Sequence, residues 1–223
     1  MQSGIIEIIF LAMLAGFIGL RLYHVLGRRT GHERPVGEPY RPTGAELSRP
    51  ATMNGGREPD ALLLPELPAD IAPEVRPGIE DIRRADRGFN PEAFVAGARG
   101  AYQMVLEAFW RGDTDELADL VSDELQENFR AAIEERKSRG ETLENKLLEV
   151  DSVRIVGAGM NGSMAEVTVQ FDAEILAVTR DSSGEVVSGS ATESVETHDV
   201  WTFSRHVGSP DPVWLIVGTD TAG

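Results

Sequence analysis

Three stretches between residues 90 and 140 repeat apolar residues with the period of an α-helix. The first begins at Asn90, a good N-cap followed by proline, and ends at Gly112. A capping box of Asp113 with Glu116 predicts a short second helix, and a third runs from about residue 122 to Gly140. The stripe of the first helix consists of Phe94, Ala98, Ala101, Val105 and Phe109.

From residue 165 the apolar period changes to two, which predicts a half-buried strand. Val167, Val169 and Phe171 alternate with polar neighbours, and the alternation breaks at Leu176 and Val178. Such a break is typical of a β-bulge, so we expect a sharp bend of the sheet there.

Three further strands complete the predicted sheet. They cover residues 146–156, a segment running through 197–207 after a hairpin turn at 181–184, and residues 213–218. The order of three helices and then four strands predicts an α+β domain with three helices on a bent antiparallel sheet. A sheet bent in this way curls into a cone whose mouth can form a pocket.

The N-terminal segment is apolar enough to cross a membrane. Residues 5–20 are apolar or glycine except Glu7, and a helix over residues 5–26 would be about 33 Å long, against a hydrocarbon core of about 30 Å. The apolar face of this predicted anchor includes Ile5, Phe10, Leu14, Phe17 and Leu20.

Basic residues lie in the last turns of the anchor and directly after it, and none precedes it. Arg21, Arg28 and Arg29 predict that the N-terminus lies outside and the remainder of the chain in the cytoplasm. The uncharged start differs from the basic start of a signal peptide, so we expect the segment to be retained. Ala12 and Gly16 have a small-xxx-small spacing, which lets two helices approach closely, so a homo-oligomer is an open alternative.

Nine of the twelve prolines fall between residues 35 and 77. This composition predicts a largely disordered linker, and it divides the chain into an anchor with its basic flank at 1–34, a linker at 35–88 and a domain at 89–221. Two apolar groups interrupt the linker, one at 62–67 and one around Ile79, Ile82 and Phe89. Each group is either a docking motif for a partner or a segment that packs on this chain's own domain.

Charge and composition exclude several classes of function. The chain has 37 acidic and 21 basic residues, a net charge of −16, and no cysteine. Because residues 91–223 carry 25 acids and ten bases, this region should not bind nucleic acid or an anionic lipid surface. Disulfides and thiolate chemistry are excluded outright, and the scattered histidines predict no metal site.

Asp199 is the candidate for catalytic chemistry. It shares strand parity with Trp201 and Phe203, so it faces the cone if they do, and an inward carboxylate would have a raised pKa suited to a general base. The alternative is a solvated Asp199, or one paired with an arginine. His198 has the opposite parity and cannot form a dyad with it.

The aromatic residues of the domain build a core or line a pocket, and the sequence leaves both open. The candidate pocket or partner-binding set is Tyr102, Phe109, Trp110, Phe171, Asp199, Trp201, Phe203 and Trp214. Residues 134–137, which read Glu-Glu-Arg-Lys, are expected to form a solvated helix face.

Several of these segments, in this order and spacing, resemble the Tim44-like domain family. They are Phe-Val-Ala-Gly-Ala at 94–98, Gly112-Asp113, the strand at 165–171, the turn at 181–184, the run Asp199-x-Trp201-x-Phe203-x-Arg205 and the ending Pro212-x-Trp214. The apolar N-terminus followed by Gly-Arg-Arg-Thr-Gly at 27–31 is similar to the bacterial members, adaptors of the TimA type.

The resemblance implies a nuclear-transport-factor-two-like cone and a non-catalytic role without a cofactor. Mitochondrial members of the family are scaffolds that hold a DnaK-type chaperone at the inner face of a translocon and contact cardiolipin and unfolded chains. Their basic chaperone-docking region has no counterpart in this sequence. We therefore expect an adaptor in the bacterial inner membrane that binds a protein partner or unfolded polypeptide; the alternative is an enzyme or a binder of a small apolar ligand that uses Asp199.

Overall fold

The computed structural model describes residues 67–68 and 71–222. This part of the chain forms four α-helices and then five β-strands. The helices are α1 (Arg76–Ala85), α2 (Pro91–Arg111), α3 (Thr114–Ala118) and α4 (Asp123–Ser138). The strands are β1 (Thr142–Leu143), β2 (Lys146–Asn161), β3 (Met164–Arg180), β4 (Val186–His206) and β5 (Leu215–Thr221).

The strands form one antiparallel sheet in the order β1-β3-β4-β5, and β2 pairs with β3 on the same side as β1. The predicted α+β class with a bent antiparallel sheet is therefore confirmed. The bend lies where it was expected, because the register of β3 with β4 shifts between Leu176 and Val178. Opposite this bulge, Gly189 has φ 81°, and a Cβ there would lie 1.8 Å from the carbonyl oxygen of Ala177, so the bend requires glycine.

One face of the sheet forms the core. The alternating residues of β3 from Ala165 to Ala173 are fully buried, and Tyr102, Val105 and Ala108 of α2 pack against them. Each valine or phenylalanine side chain buried in this way contributes about 1.5–3 kcal/mol. The opposite, convex face of the sheet carries polar side chains.

The helix ends agree with the predicted caps. The side chain of Asn90 accepts a hydrogen bond from the Ala93 N–H at 2.9 Å, and that of Asp113 accepts one from the Glu116 N–H at 3.1 Å. Gly112 ends α2 in the left-handed conformation, with φ 72°.

Helix α1 corrects the predicted linker and the predicted count of three helices. Residues 71–88 were assigned to the linker, but Ile71, Val75, Ile79 and Ile82 are buried in the core. The proline count was misleading because Pro77 lies in the first turn of α1, where proline is tolerated. The apolar group around Ile79 therefore packs on this chain's own domain.

The strands also extend beyond their predicted bounds. The last strand runs over Leu215–Thr221 instead of residues 213–218, β2 continues to Asn161, and β1 adds a fifth strand. Strand β4 begins at Val186, in a stretch of Ser, Thr, Gly and Glu that shows no apolar alternation.

The predicted anchor and its orientation lie outside the described residues. This includes the candidate residues Ile5, Phe10, Leu14, Phe17, Leu20, Arg21, Arg28 and Arg29. Within the part of the chain that the structure describes, no helix is long and apolar enough to cross a membrane.

Candidate functional site

A half-open cleft with a volume of about 520 Å³ lies beside the first half of α2. Three separate parts of the chain form it: the connection from α1 to α2, the helix α2 itself, and the end of β4 with the loop between β4 and β5. Its lining residues are Asp86, Gly88, Phe89, Asn90, Ala93, Phe94, Gly97, Ala98, Ala101, Phe203, Arg205, Pro212 and Trp214.

Four aromatic rings form the apolar floor of the cleft. Phe94 lies at the centre, with its ring centroid 5.6 Å from Phe89, 5.5 Å from Phe203 and 4.9 Å from Trp214. The contacts to Phe203 and Trp214 are edge-to-face, the geometry that aromatic pairs prefer. The four rings therefore pack against one another as one continuous apolar surface.

An ion pair between Asp86 and Arg205 forms part of the lining of the cleft. Asp86 also accepts a hydrogen bond from the Gly88 N–H at 2.9 Å, and the Arg205 guanidinium lies 5.4 Å from the centre of the Trp214 ring. Because the two charges compensate each other, the cleft carries no net charge of its own.

The wall contributed by α2 consists of small residues. Ala93, Gly97 and Ala101 line the cleft, and a Cβ built on Gly97 meets nothing within 4 Å. Glycine in an exposed helix costs about 1 kcal/mol relative to alanine, and no contact within the described residues requires it here. The missing side chain leaves room for a bound group to approach the helix backbone.

A partly buried polar contact joins α2 to β4 at the predicted candidate Asp199. The Tyr102 hydroxyl donates to Asp199 Oδ2 at 2.6 Å and lies 3.3 Å from the Thr197 hydroxyl oxygen. Burial raises the pKa of Asp199, although the hydrogen bonds from Tyr102 and Thr197 act in the opposite direction. Burial, and then the charge of Asp199, raise the pKa of Tyr102 as well.

The rings around this contact are packed as a core. Tyr102 stacks on Phe171 with centroids 4.4 Å apart and an interplanar angle of 10°, and Trp201 lies 4.7 Å from Tyr102. All three side chains are buried. The carboxyl group of Asp199 therefore sits against a filled interior and is coupled to Tyr102.

His198 lies on the convex face, as its parity predicted, and bonds to Asp172. The Asp172 carboxylate accepts hydrogen bonds from Ser152, from Arg154 at 2.8 Å and from Gln170 at 3.0 Å, and lies 2.8 Å from His198 Nδ1. The bonds from Ser152 and then His198 hold the pKa of Asp172 well below its usual range. The carboxylate lies between the serine and the histidine, so the imidazole does not contact the hydroxyl as a nucleophilic triad requires.

Phe109 and Trp110 lie away from the cleft, at the C-terminal end of α2. Phe109 packs on Phe129 at 5.3 Å, and Arg136 Nη2 donates to the carbonyl oxygens of Phe109 and Trp110, each at 3.2 Å. Arg136 is only 8% exposed, so the expected solvated face at 134–137 is wrong at this residue. Burial lowers the pKa of Arg136, and the nearby Glu141 opposes this.

The structure thus divides the predicted set into three groups. Phe203 and Trp214 line the cleft. Tyr102, Phe171 and Trp201 are buried together, and half-buried Asp199 bonds to Tyr102. Phe109 and Trp110 lie at the end of α2. Among the described residues, no group of three or more His, Asp or Glu side chains is placed to hold a metal ion.

Sequence reasoning missed the ion pair and the small wall of the cleft. Asp86 and Arg205 are 119 positions apart, and nothing in the local pattern joins them. Gly97 and Gly100 in an otherwise good helix pattern were the available signal, because exposed helical glycine is costly unless something approaches the backbone.

A model of the Tim44-like domain matches residues 75–221 of this chain. The matched range begins one residue before α1 and ends with the last residue of β5. It therefore includes every lining residue of the cleft and the Tyr102–Asp199 contact.

Two relatives and one solved structure are similar to the chain. The human mitochondrial import inner membrane translocase subunit TIM44 is 24% identical over 135 residues, which cover 60% of this chain and 30% of that protein. The uncharacterized protein RP434 of Rickettsia prowazekii is 22% identical over 227 residues and 97% of each chain. A solved NTF2-like superfamily protein from Salmonella enterica is 14% identical, with a TM-score of 0.37, over 60% of this chain and 93% of that one.

Proposed function

The chain belongs to the Tim44-like domain family, and from this premise we propose that it is a non-catalytic adaptor that binds an apolar segment of a protein partner. The human relative is by name a subunit of the mitochondrial import inner membrane translocase. The chain spans less than a third of that protein's length. A link to protein translocation or membrane-protein assembly is accordingly part of the proposal.

The cleft beside α2 is the observation that carries this proposal. Its volume of about 520 Å³ falls in the range of about 300–1,000 Å³ typical of binding pockets. Its floor is aromatic, and the charges of Asp86 and Arg205 neutralise each other. On the α2 side, Gly97 has no side chain and leaves free space. These properties suit uncharged aliphatic or aromatic side chains of a polypeptide, as an unfolded segment or a chaperone surface presents them.

We further propose that residues 5–26 anchor the adaptor in the bacterial inner membrane, with the N-terminus outside and the domain in the cytoplasm. The proline-rich segment then lets the domain search the volume near the membrane. Tethering raises the effective concentration of the domain for membrane-proximal partners without any new contact.

One observation favours a second function, the binding or conversion of a small apolar ligand at Asp199. Its carboxyl group is half-buried, hydrogen-bonded to Tyr102, and has a pKa raised by burial. A carboxyl group with these properties is a candidate general base. This function requires the Asp199 carboxyl group itself, whereas the adaptor does not.

Photo-cross-linking in membranes tests the adaptor directly. A photoreactive amino acid replaces Ala93, which is exposed and lines the cleft, in the full chain. Gly97→Leu fills the wall, and Gly100→Leu is the matched control because Gly100 is also exposed in α2, has nothing within 4 Å and lies outside the lining. Both changes favour the helix by a similar amount, about 1 kcal/mol.

The adaptor predicts that a cross-linked partner disappears with Gly97→Leu and when residues 1–26 are removed. It remains with Gly100→Leu and with Asp199→Asn. Equal cross-linking by the two leucine variants would overturn the proposal for the cleft. A phenotype caused by Asp199→Asn while cross-linking is retained would favour the ligand-binding alternative.

A further inference from the structure

Part of β4 forms an open edge of the sheet. Strand β5 pairs with β4 only from Asp199 to Ser204, and the Ala222 N–H donates to the His198 carbonyl oxygen at 2.7 Å. The preceding segment, residues 194–197, pairs with β3 on one side. On its other side, no strand of the described residues lies against it.

Within the part of the chain that the structure describes, the open edge presents unpaired backbone groups to solvent. Backbone N–H and C=O groups alternate in direction along a strand, so those of Ser194 and Glu196 point to the same side as the His198 carbonyl. Residues 194–196 are exposed, and Val195 is 53% exposed. The backbone groups of Ser194 and Glu196 can therefore form hydrogen bonds with another extended chain.

The other edge of the sheet is protected in a way that this one is not. Strand β2 has three register shifts against β3, and bulges of this kind discourage pairing with a further strand. Residues 194–197 of β4 pair with residues 173–176 of β3 without a shift. The regular segment therefore keeps the geometry that an added strand needs.

The side chains beside the open edge indicate which side chains an added strand should carry. Glu149, Glu174 and Glu196 lie directly opposite one another on the convex face, one on each of β2, β3 and β4. Like charges in directly opposite positions destabilise a sheet. Within the described residues, none of the three carboxylates forms an ion pair.

The neighbouring row, on the concave face, is apolar. Leu147, Ile175 and Val195 are directly opposite one another across the same three strands. A strand added beside β4 would therefore continue an acidic row on one face and an apolar row on the other.

We propose that the open edge of β4 binds an extended segment of a partner protein in which basic and apolar side chains alternate. A lysine or arginine lies opposite Glu196, and apolar side chains lie opposite Val195 and Thr197. This surface is separate from the cleft and does not depend on the function proposed for it.

A second copy of this chain is not the occupant. Residues 71–222 contain 29 acidic and 14 basic residues, a net charge of −15. Pairing two such edges would bring Glu193 and Glu196 of both copies together, which electrostatic repulsion opposes. The charge that repels a second copy attracts a basic segment.

The test uses the full chain in detergent and a short fluorescent peptide of alternating valine and lysine. Fluorescence anisotropy measures binding, and hydrogen exchange measures protection of the Ser194 and Glu196 amides. We expect Glu196→Lys to weaken binding by about tenfold or more, because attraction becomes repulsion at the contact. Glu127→Lys, an exposed residue of α4 with the same change of charge, is the matched control and should weaken it by less than about threefold.

A second arm tests strand pairing without altering the protein. Methylating alternate backbone nitrogens of the peptide removes its hydrogen-bond donors, and binding should be lost. Unchanged binding of the methylated peptide, or no added protection at Ser194 and Glu196, would overturn the proposal in favour of non-specific charge attraction. Binding that persists in Gly97→Leu separates this surface from the cleft, so either proposal can fail alone.

Discussion

Asp199 shows how burial and hydrogen bonding compete on one carboxyl group. Burial favours its neutral form, while the Tyr102 and Thr197 hydroxyl groups and the neighbouring His198 favour the charged form. Burial is the stronger influence, so the folded pKa lies above the unfolded value of about 4. The folded state therefore binds a proton more tightly than the unfolded state does.

We predict that Asp199→Asn changes how stability depends on pH. In the wild type, the raised pKa contributes stability that is present below about pH 4 and is lost as the pH rises through the folded pKa. The asparagine variant lacks this loss, so its stability relative to the wild type should increase from pH 4 to pH 7. Urea unfolding followed by tryptophan fluorescence measures this, since Trp110, Trp201 and Trp214 all lie in the domain.

Asp172→Asn is the control with the opposite sign. The hydrogen bonds from Ser152 and His198 lower its pKa, so its contribution is present above about pH 4 and is lost as the pH falls through the folded pKa. This variant should be less stable than the wild type at pH 7 and approach it in acid. The same pH trend for both variants would contradict the assignment of Asp199.

For individual side chains, strand parity predicted more of their positions than composition did. Parity placed Asp199 and His198 on opposite faces, because side chains alternate strictly along a strand. It did not predict that Tyr102 is the partner of Asp199, since the two are 97 positions apart. Arg136 was misjudged for the same reason: its neighbours in sequence are charged, whereas its hydrogen-bond acceptors are carbonyl groups of α2.

Among the elements, those with local signals were predicted and those fixed by distant contacts were not. Asn90 and Gly112 defined α2, and the broken alternation at Leu176 located the bulge. Helix α1 was missed because prolines surround it, and its apolar residues are explained only by the sheet they cover. The cleft was missed as a unit because three separate parts of the chain line it.

Helix α1 approaches the sheet closely at Gly78, and this contact can be tested. A Cβ there would lie 1.9 Å from the Ala158 carbonyl oxygen of β2, so alanine must displace the helix. We predict that Gly78→Ala lowers the free energy of unfolding by about 1–3 kcal/mol, as overpacking does. Urea unfolding of the full chain measures the change.

Gly100→Ala provides the contrast for this prediction. Gly100 is in α2, exposed, and has nothing within 4 Å of a Cβ, so alanine should raise the free energy of unfolding by about 0.5–1 kcal/mol. If both variants are stabilised, α1 does not pack against β2 as described. A loss of stability in Gly78→Ala alone supports α1 as part of the domain.

On the scale of the whole molecule, charge and hydrophobicity are separated along the sequence. The apolar segment at 5–26 is followed by Arg28 and Arg29, while residues 71–222 carry a net charge of −15. An acidic domain is repelled by an anionic lipid surface, so the anchor proposed at residues 5–26 is the segment from which we expect membrane attachment. The same acidity leaves the open edge of β4 attractive to basic partners.

This separation predicts how the protein is released from membranes. If residues 5–26 cross the bilayer, the full chain should remain in the pellet in high salt and in alkaline carbonate and should dissolve only in detergent. Salt screens attraction between surface charges but does not weaken burial of an apolar helix, which is the reason for the difference. The chain without residues 1–26 should appear in the soluble fraction at every salt concentration. Release of the full chain by salt alone would instead mean that charged contacts hold it, which the net charge of residues 71–222 argues against.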